Sequence, residues 1–385
     1  MINRYVSSTG TAAYSASTGI DTPMSYSTAI AQADSGDYVW IKKDGTYART
    51  LQLSENLSGL GQSAAPIIFE GYNNIIGDGY LGYRGAGGYF ELNTDNFPYI
   101  YYSGNTRLNV VGRNVYLRNL NITGAALSTA SLVTLANANS FLESCRIINA
   151  PSTTTTIPST IATQTTMATI TDCDIGTFGS HIGAGVSASA AVRISRCRLF
   201  GNGGRSAIVS SNLAFIDGNF FYNITGIAIN ITSTVHTNSN TITNNTFFNC
   251  KNGVLEQITG STSIPLFMNN LVYCNESLRP PINNYSTGSA LVEGNVFLVT
   301  GNIFSNINDV TMAFYRNNYS GSINQPVFVD TGNNNYLLRP DFIAYNSGFP
   351  YQDLNISPPG APLRSGFINP PKGRITNISR LIYNV

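Results

Sequence analysis

The fold is decided by four stretches of sequence, ISRCRL at 194–199, IDGNFF at 216–221, ITNNTF at 242–247 and FMNNLV at 267–272. Each stretch has an apolar residue, two further residues, a central Cys or Asn, one residue and a second apolar residue. The pattern recurs through the middle of the chain with central positions at Leu120, Cys145, Cys173, Cys197, Asn219, Asn245, Asn270, Asn295 and Asn317, in steps of 22 to 28 residues. Leucine-rich and tetratricopeptide repeats keep a tightly fixed length, so these uneven steps favour coils of short strands joined by turns of variable length.

A stack of such coils explains the central position. Stacked coils bury a continuous apolar core and pair their backbone groups with the coils above and below. Asn tolerates the left-handed backbone of a bend, and its amide can bond to the next Asn about 4.8 Å away. We therefore predict a structural ladder formed by Cys145, Cys173, Cys197, Asn219, Asn245, Asn270, Asn295 and Asn317. The cysteines are predicted to be buried and reduced, because their total of five argues against a disulfide framework.

The composition argues against several classes of function. Charged residues make up only 11% of the chain, the net charge is +1, and polarity is supplied largely by 45 Asn together with Ser and Thr. No basic surface is expected that would collect nucleic acid or anionic lipid. His181 and His236 are the two histidines, which leaves little room for His-based metal or triad chemistry. We predict no nucleic-acid partner, no membrane partner, no metal and no cofactor.

Beyond the repeat, several segments resemble a known superfamily. These segments are RYVSSTG at 4–10, PMSYSTAIAQADSGDYVWIKKDGTYA at 23–48, SAAPIIFEGYN at 63–73, RLNVVGRNVYLRNLNITG at 107–124 and QPVFVDTGNNNYLLRPDFIAYNSG at 325–348. Together with the repeat, they resemble the right-handed parallel β-helix of the pectate-lyase-like superfamily. The resemblance implies an all-β fold, a right-handed parallel β-helix solenoid, with a short N-terminal capping helix around Ser25 to Ala33.

The resemblance also divides the chain. Residues 1–348 form the predicted β-helix, with the cap and first coils at 1–72, a Tyr- and Gly-rich loop at 80–106 and regular coils at 107–348. The loop is an aromatic platform for sugars, a subunit contact or a segment that packs on its own coil. Residues 152–166 read as a polar Thr-rich loop. Residues 349–385 form a Pro-rich C-terminal arm that either docks on a neighbouring subunit or folds back on its own helix.

Charged residues cluster around three successive central positions. Arg146, Asp174 and Arg198 follow these positions, Asp172 and Arg196 precede them, and strand alternation predicts one shared outer face. With Glu143 and Asp217, they form either a site for a uronate-type sugar or a ladder of ion pairs that fixes coil register. Alternating sign favours the ladder. The weak catalytic candidates are Glu143, Asp172, Asp174, Arg196, Arg198 and Asp217.

Two functions follow from the resemblance. Related β-helices recur in bacteriophage tailspikes and capsid-decorating proteins, often as homotrimers. We therefore predict a structural or adhesive protein of a virion surface, without catalysis, and a homotrimer. Its predicted partners are capsid or tail proteins, bound through residues 350–385, and a surface polysaccharide. The N-terminus has no apolar signal segment, which predicts synthesis in the host cytoplasm. The alternative is a polysaccharide lyase or glycosidase acting on an anionic polysaccharide, for which Ca²⁺ would be the expected cofactor.

Overall fold

The fold was obtained as a computed structural model. It describes residues 1–49, 54–57, 65–84, 91–103, 106–124, 131–137, 139–149, 159–164, 167–177, 184–201, 206–232, 240–257, 265–274, 280–284, 291–300, 303–305, 314–316, 319–321, 328–330 and 335–338. Asn317, His181, His236 and the arm at 349–385 lie outside these residues. The structure confirms the predicted fold class: the chain is all-β and winds as a parallel β-solenoid.

Three long parallel sheets form the walls of the solenoid. Sheet 1 contains Ile2–Val6, Asp37–Lys42, Ile67–Tyr72, Val115–Arg118, Phe141–Glu143, Ala168–Thr171, Val192–Ser195, Ala214–Asp217, Thr241–Thr243, Leu266–Met268, Leu291–Glu293 and Phe314–Arg316. Sheet 2 contains Thr46–Arg49, Tyr99–Tyr102, Asn121–Gly124, Arg146–Asn149, Asp174–Thr177, Arg198–Phe200, Phe220–Tyr222, Thr246–Phe248, Leu271–Cys274, Val296–Val299 and Tyr319–Gly321. Sheet 3 contains Ser54–Leu57, Arg107–Val110, Val133–Leu135, Ile161–Thr163, Val186–Ala188, Ile208–Ser210, Ile229–Ile231, Leu255–Gln257, Ile282–Asn284 and Phe304–Ser305.

The apolar residues on either side of each central position form the core. In the coils with central positions from Leu120 to Asn295, the first of them lies in sheet 1 and the second in sheet 2, and both side chains are buried in the solenoid. In the last coil the register aligns Phe314 with Leu291 and Tyr319 with Val296, so the predicted repeat unit around Asn317 is one residue out of step with the others. Phe221 and Phe247 stack with ring centroids 4.6 Å apart, and Phe267 and Phe297 extend the aromatic stack at 6.2 Å. All four rings are fully buried. Each such side chain contributes roughly 1.5–3 kcal/mol on burial, and the parallel register repeats that contribution in coil after coil.

The first coil meets a short helix. The α-helix spans Tyr26–Gln32, and the Ser25 hydroxyl accepts a hydrogen bond from the Thr28 N–H at 3.1 Å, as an N-cap does. Ala29 and Ile30 of this helix are buried in the same core as the strands. A 3₁₀ turn at Tyr14–Ala16 precedes it. No helix in the described ranges has the length and apolarity needed for a bilayer span.

Two segments predicted as loops contain strands. Within 80–106, Tyr99–Tyr102 is a regular strand of sheet 2, because Ile100 and Tyr102 alternate inward between half-buried tyrosines. Tyr83–Arg84 and Glu91–Leu92 form a small antiparallel hairpin ahead of it. Within 152–166, Ile161–Thr163 is a strand of sheet 3. The abundance of Tyr and Thr hid the alternation that marks these strands.

The last described part departs from regular coils. Phe328–Asp330 and Asn335–Leu338 pair antiparallel as a hairpin with a register shift between Phe328 and Asp330. The prediction of regular coils throughout 107–348 was therefore wrong at its C-terminal end. Parallel pairing requires another full coil between partners, whereas two strands joined by a short turn can pair only antiparallel.

Candidate functional site

The charged candidate residues lie at or beside the bend that joins sheet 1 to sheet 2 in each coil. The residue before each central position has a positive φ, between 52° and 67°, from Asn119 in the first such bend to Gly294 in the last described one. The sequence had suggested that the central Asn itself adopts this conformation. In the structure, the residue before it does so. A left-handed residue turns the chain sharply, and it is Asn, Gly or Ser in most coils. In two consecutive coils, Asp172 and Arg196 occupy this left-handed position.

The central Asn side chains form the ladder through hydrogen bonds. The Asn219 N–H and Nδ2 donate to Asn245 Oδ1 at 2.9 and 3.0 Å. Asn245 bonds to Asn270 in the same way at 2.9 and 3.0 Å, and Asn270 to Asn295 at 2.8 and 3.0 Å. Each Nδ2 also donates to a backbone carbonyl of the preceding sheet 1 strand, for example Asn245 to Ile216 at 3.0 Å. These four side chains are buried, and their hydrogen bonds satisfy their polar atoms.

The three cysteines continue the same column. The Cys197 N–H donates to Asn219 Oδ1 at 2.9 Å, which joins the two parts of the ladder. The Cys173 thiol donates to the Thr171 carbonyl at 3.1 Å and the Cys145 thiol to the Leu117 carbonyl at 3.3 Å. Burial, strengthened by its hydrogen bond with Cys145, raises the pKa of the Cys173 thiol well above its ordinary value. A thiol in this state is a poor nucleophile and a poor metal ligand.

The charged candidates pair from coil to coil. Asp172 and Arg196, one coil apart at the bend, form a bidentate pair with Nε–Oδ1 at 3.0 Å and Nη2–Oδ2 at 2.6 Å. On sheet 1, Glu143 pairs with Arg118 of the preceding coil at 2.7 Å. Arg118 had not been recognised from the sequence because its central position is a Leu. These pairs place opposite charges at neighbouring register positions, which stabilises one register.

Asp217 is engaged by uncharged groups. Its Oδ1 accepts hydrogen bonds from the Thr243 hydroxyl at 2.6 Å and from Asn244 Nδ2 at 2.8 Å, both in the next coil. The carboxylate therefore ties two coils together without an arginine partner in these contacts.

Asp174 is the one acidic candidate that lies on sheet 2. Its neighbour Ile175 points into the core, so Asp174 points outward, yet it is fully buried. Its Oδ2 is 3.3 Å from Arg198 Nη2 and accepts a hydrogen bond from the Leu92 N–H at 2.8 Å. Leu92 belongs to the hairpin within the Tyr-rich segment, which is thus anchored on its own coils. The guanidinium of Arg198 also lies 4.4 Å from the centre of the Phe200 ring.

The predicted single charged face is therefore three separate sets. Glu143 and Asp217 end sheet 1 strands, Asp172 and Arg196 occupy bends, and Arg146, Asp174 and Arg198 begin sheet 2 strands. Residues two positions apart across a sharp bend leave the solenoid in different directions, which the assumption of simple alternation overlooked. The Leu92 backbone amide, 82 residues from Asp174, left no sequence signal.

The carboxylates do not fit a Ca²⁺ site. Glu143, Asp172 and Asp174 are each held by a different arginine, and a bound cation would have to displace these positive charges. Within the described ranges, no group of three acidic, Cys or His side chains is arranged to hold a metal ion. The arrangement can fix coil register; it offers no convergent acid and base.

Comparison with known proteins adds similarity of fold. The chain is similar to a rhamnogalacturonan lyase, with 12% identity over 87% of this chain and 95% of that chain and a TM-score of 0.51. It is also similar to the pectate lyase Pel9A, with 13% identity, 96% of both chains covered and a TM-score of 0.45. A polysaccharide lyase of the PL6 family from Pseudopedobacter saltans gives 13% identity over 76% of this chain and 89% of that chain, with a TM-score of 0.46. No protein-family model matches the chain, and neither does any curated protein sequence. At 12% identity, the similarity to the rhamnogalacturonan lyase shows a shared fold alone.

Proposed function

We propose that this protein is a structural or adhesive β-solenoid of a surface assembly, and that the assembly is a virion. The observation that supports this proposal is the pairing of the candidate carboxylates: arginines of neighbouring coils hold Glu143, Asp172 and Asp174. A general acid or base needs a carboxyl that can exchange protons with substrate. Carboxylates held in ion pairs stiffen the stack of coils instead.

The outer face of sheet 3 supports the adhesive part of the proposal. One outward row, in continuous register, is composed mostly of uncharged or small side chains: Asn109, Thr134, Ala162, Ser187, Val209, Asn230, Glu256 and Asn283. Thr134 and Asn283 of this row are buried, whereas Asn109, Ser187 and Asn230 are half-buried and lie two or three coils apart, about 10 to 14 Å. Amide and hydroxyl groups of this kind would donate to and accept from the hydroxyl groups of a polysaccharide. A surface polysaccharide is therefore the ligand that we propose.

Polysaccharide cleavage is tested directly. The full chain would be incubated with a panel of anionic polysaccharides, with and without Ca²⁺, while absorbance of unsaturated products and new reducing ends are followed. We expect neither product, together with retention of one polysaccharide in a co-sedimentation assay. Release of unsaturated or reducing products would refute the proposal and establish the alternative, a lyase or glycosidase.

The proposed assembly has its own measurement. We propose a homotrimer, which sedimentation equilibrium would detect as a species of three times the chain mass of 41.4 kDa. Contact with capsid or tail proteins through residues 350–385 stays a prediction on a segment outside the described residues. Removing that segment should abolish attachment to the virion while leaving the solenoid folded.

A further inference from the structure

The outer face of sheet 1 carries aromatic and charged side chains in four neighbouring early strands. Val39, Phe69, Leu117 and Leu142 of these strands are in the core, so the residues on either side of each point outward. From coil to coil, these outward residues form two rows in register, each about 14 Å long. We call them the sheet 1 patch: Tyr38, Ile68, Tyr116 and Phe141 in one row, and Trp40, Glu70, Arg118 and Glu143 in the other.

The aromatic rings of the sheet 1 patch are held in pairs. Tyr38 and Trp40 stack with ring centroids 4.1 Å apart, and Tyr116 and Phe141 with centroids 4.2 Å apart. All four side chains are half-buried, so part of each ring stays in contact with solvent. Stacking fixes the rings in advance, and a ligand that meets fixed groups loses less entropy on binding.

The charged side chains of the patch are held by neighbouring groups. Glu70 Oε2 accepts a hydrogen bond from the Tyr38 hydroxyl, and Glu70 Oε1 accepts one from Asn119 Nδ2 at 3.1 Å. Arg118 Nε lies 2.7 Å from Glu143 Oε2. Burial lowers the pKa of the Arg118 guanidinium, but the charges of Glu143 and Glu70 outweigh burial and raise it. The arginine is therefore shared between two glutamates.

The loop around Asp78 borders the patch on the side of the bend. The Asp78 carboxylate accepts hydrogen bonds from the N–H groups of residues 73–75, at 2.7 to 3.0 Å. A Cβ on Gly79 would lie 3.1 Å from Asn119 Nδ2, the group that donates to Glu70. The loop is thus shaped by its own carboxylate and packs beside the second row of the patch.

We infer that the sheet 1 patch is a binding site for an uncharged oligosaccharide. Aromatic rings offer apolar surface to the C–H groups of a sugar ring, and the carboxylate oxygens of Glu70 and Glu143 can accept hydrogen bonds from its hydroxyl groups. A uronate is disfavoured, because its carboxylate would meet two glutamates while Arg118 is already paired. A protein partner is disfavoured too, since the centres of protein interfaces are depleted of charged residues.

This site goes beyond the proposed function, because it lies on a different wall of the solenoid from the outward row of sheet 3. It rests on the proposed function only in that both concern a saccharide ligand. The two sites can be tested separately, since a change on sheet 1 leaves the sheet 3 row intact.

Trp40 is the single tryptophan of the chain, so intrinsic fluorescence reports directly on the patch. The full chain is titrated with cellohexaose, maltohexaose and N-acetylchitohexaose as uncharged probes, and with hexagalacturonate as the anionic probe. We expect at least one uncharged probe to change Trp40 emission in a saturable way. Hexagalacturonate should bind about tenfold more weakly or not at all.

Matched variants separate contact from stability while Trp40 stays in place as the reporter. Tyr116→Ala and Phe141→Leu each remove a ring of the patch and should weaken binding about tenfold. Tyr222→Ala removes a half-buried ring of sheet 2, which stacks on Phe248 with centroids 5.8 Å apart, and should leave binding unchanged. Urea unfolding shows whether each variant is folded, and Phe141→Leu, which keeps apolar volume, decides if Tyr116→Ala does not fold.

Several outcomes would overturn the inference. If the chain retains a polysaccharide in the co-sedimentation assay but no probe changes Trp40 emission, the ligand lies elsewhere and the adhesive proposal stands. If neither assay detects a saccharide, the inference and the adhesive part of the proposed function both fail. Tighter binding of hexagalacturonate, or equal weakening by Tyr222→Ala, would contradict the roles of the charges and of the rings. Emission that changes with protein concentration and with none of the probes would assign the patch to a second copy of the chain.

Discussion

Asp174 provides the sharpest test of how the Tyr-rich segment is held. Asp174→Ala removes a fully buried carboxylate that contacts both Arg198 Nη2 and the Leu92 N–H. The Arg198 side chain is only 12% exposed and would lose its counter-charge. Breaking one partner of a buried pair costs about 3–5 kcal/mol, and the lost charge-assisted hydrogen bond to Leu92 is part of that cost.

Two further variants separate the contributions. Asp174→Asn keeps an oxygen that can accept from Leu92 but removes the charge, so we expect a smaller loss, about 1–3 kcal/mol. Glu143→Gln is the matched control in an exposed pair, because the Glu143 and Arg118 side chains are 40% and 32% exposed. Pairs of this kind contribute about 0–1 kcal/mol.

The assay combines unfolding with local exchange. Urea unfolding gives the free energy for each variant, and amide hydrogen exchange reports opening around Leu92. In Asp174→Ala, the Leu92 amide should exchange faster, while amides of the distant strand Thr241–Thr243 keep their protection. If Asp174→Ala destabilises no more than Glu143→Gln, or if Leu92 exchange is unchanged, the hairpin is not anchored by this carboxylate.

Three further predictions concern other parts of the solenoid. Asn245→Ala removes the side-chain hydrogen bonds to Asn219, Asn270 and Ile216 and should lower the free energy of urea unfolding by about 3 kcal/mol. Asn230→Ala on the outer face of sheet 3 should cost under about 0.5 kcal/mol, and equal losses would contradict the ladder. Burial opposes ionisation of Asp78, but hydrogen bonds from the backbone N–H groups of residues 73–75 outweigh it and lower its pKa. The stabilisation from Asp78 is therefore complete above its unfolded pKa of about 3.9 and is lost as the pH falls through the lower folded value. Asp78→Ala should remove that part of the loss of stability at acid pH, measured by urea unfolding at a series of pH values. An unaltered pH profile would contradict a stabilising role of the Asp78 carboxylate. The five native thiols should resist an aromatic disulfide reagent at pH 8 until urea is added, and rapid reaction of any of them in the folded protein would contradict their burial.

The repeat allowed the fold to be predicted because its signal is local and recurrent. Each coil places an apolar residue on either side of a central Cys or Asn, and a parallel stack is the arrangement that brings those residues into register. The central positions follow from the same pattern, since Asn219 and Asn245 recur in the same slot. The sequence predicted the left-handed residue one place too late, because Asn is common at both positions.

The candidate site could not be predicted to the same extent. Whether a charged side chain is exposed depends on segments far away in sequence, as the Leu92 hairpin over Asp174 shows. Tyr99–Tyr102 was hidden for a related reason: its composition suggested a loop, whereas its place in sheet 2 depends on pairing with Asn121–Gly124. Long-range pairing leaves no periodic mark on a single segment.

The low charge of the chain and the pairing of its few charges have one physical origin. Parallel stacking brings each residue to about 4.8 Å from its equivalents in the next coils, and like charges at that spacing repel by about 1 kcal/mol in water and several-fold more where water is excluded. Asn avoids this repulsion because its amide is both a donor and an acceptor, so identical side chains attract. Where charges do occur in successive coils, their signs alternate: Arg146, Asp174 and Arg198 follow one another on sheet 2. A displacement by one whole coil would bring Arg146 beside Arg198, so the alternating charges oppose it, whereas the uncharged Asn ladder would again pair Asn with Asn after such a displacement and does not oppose it.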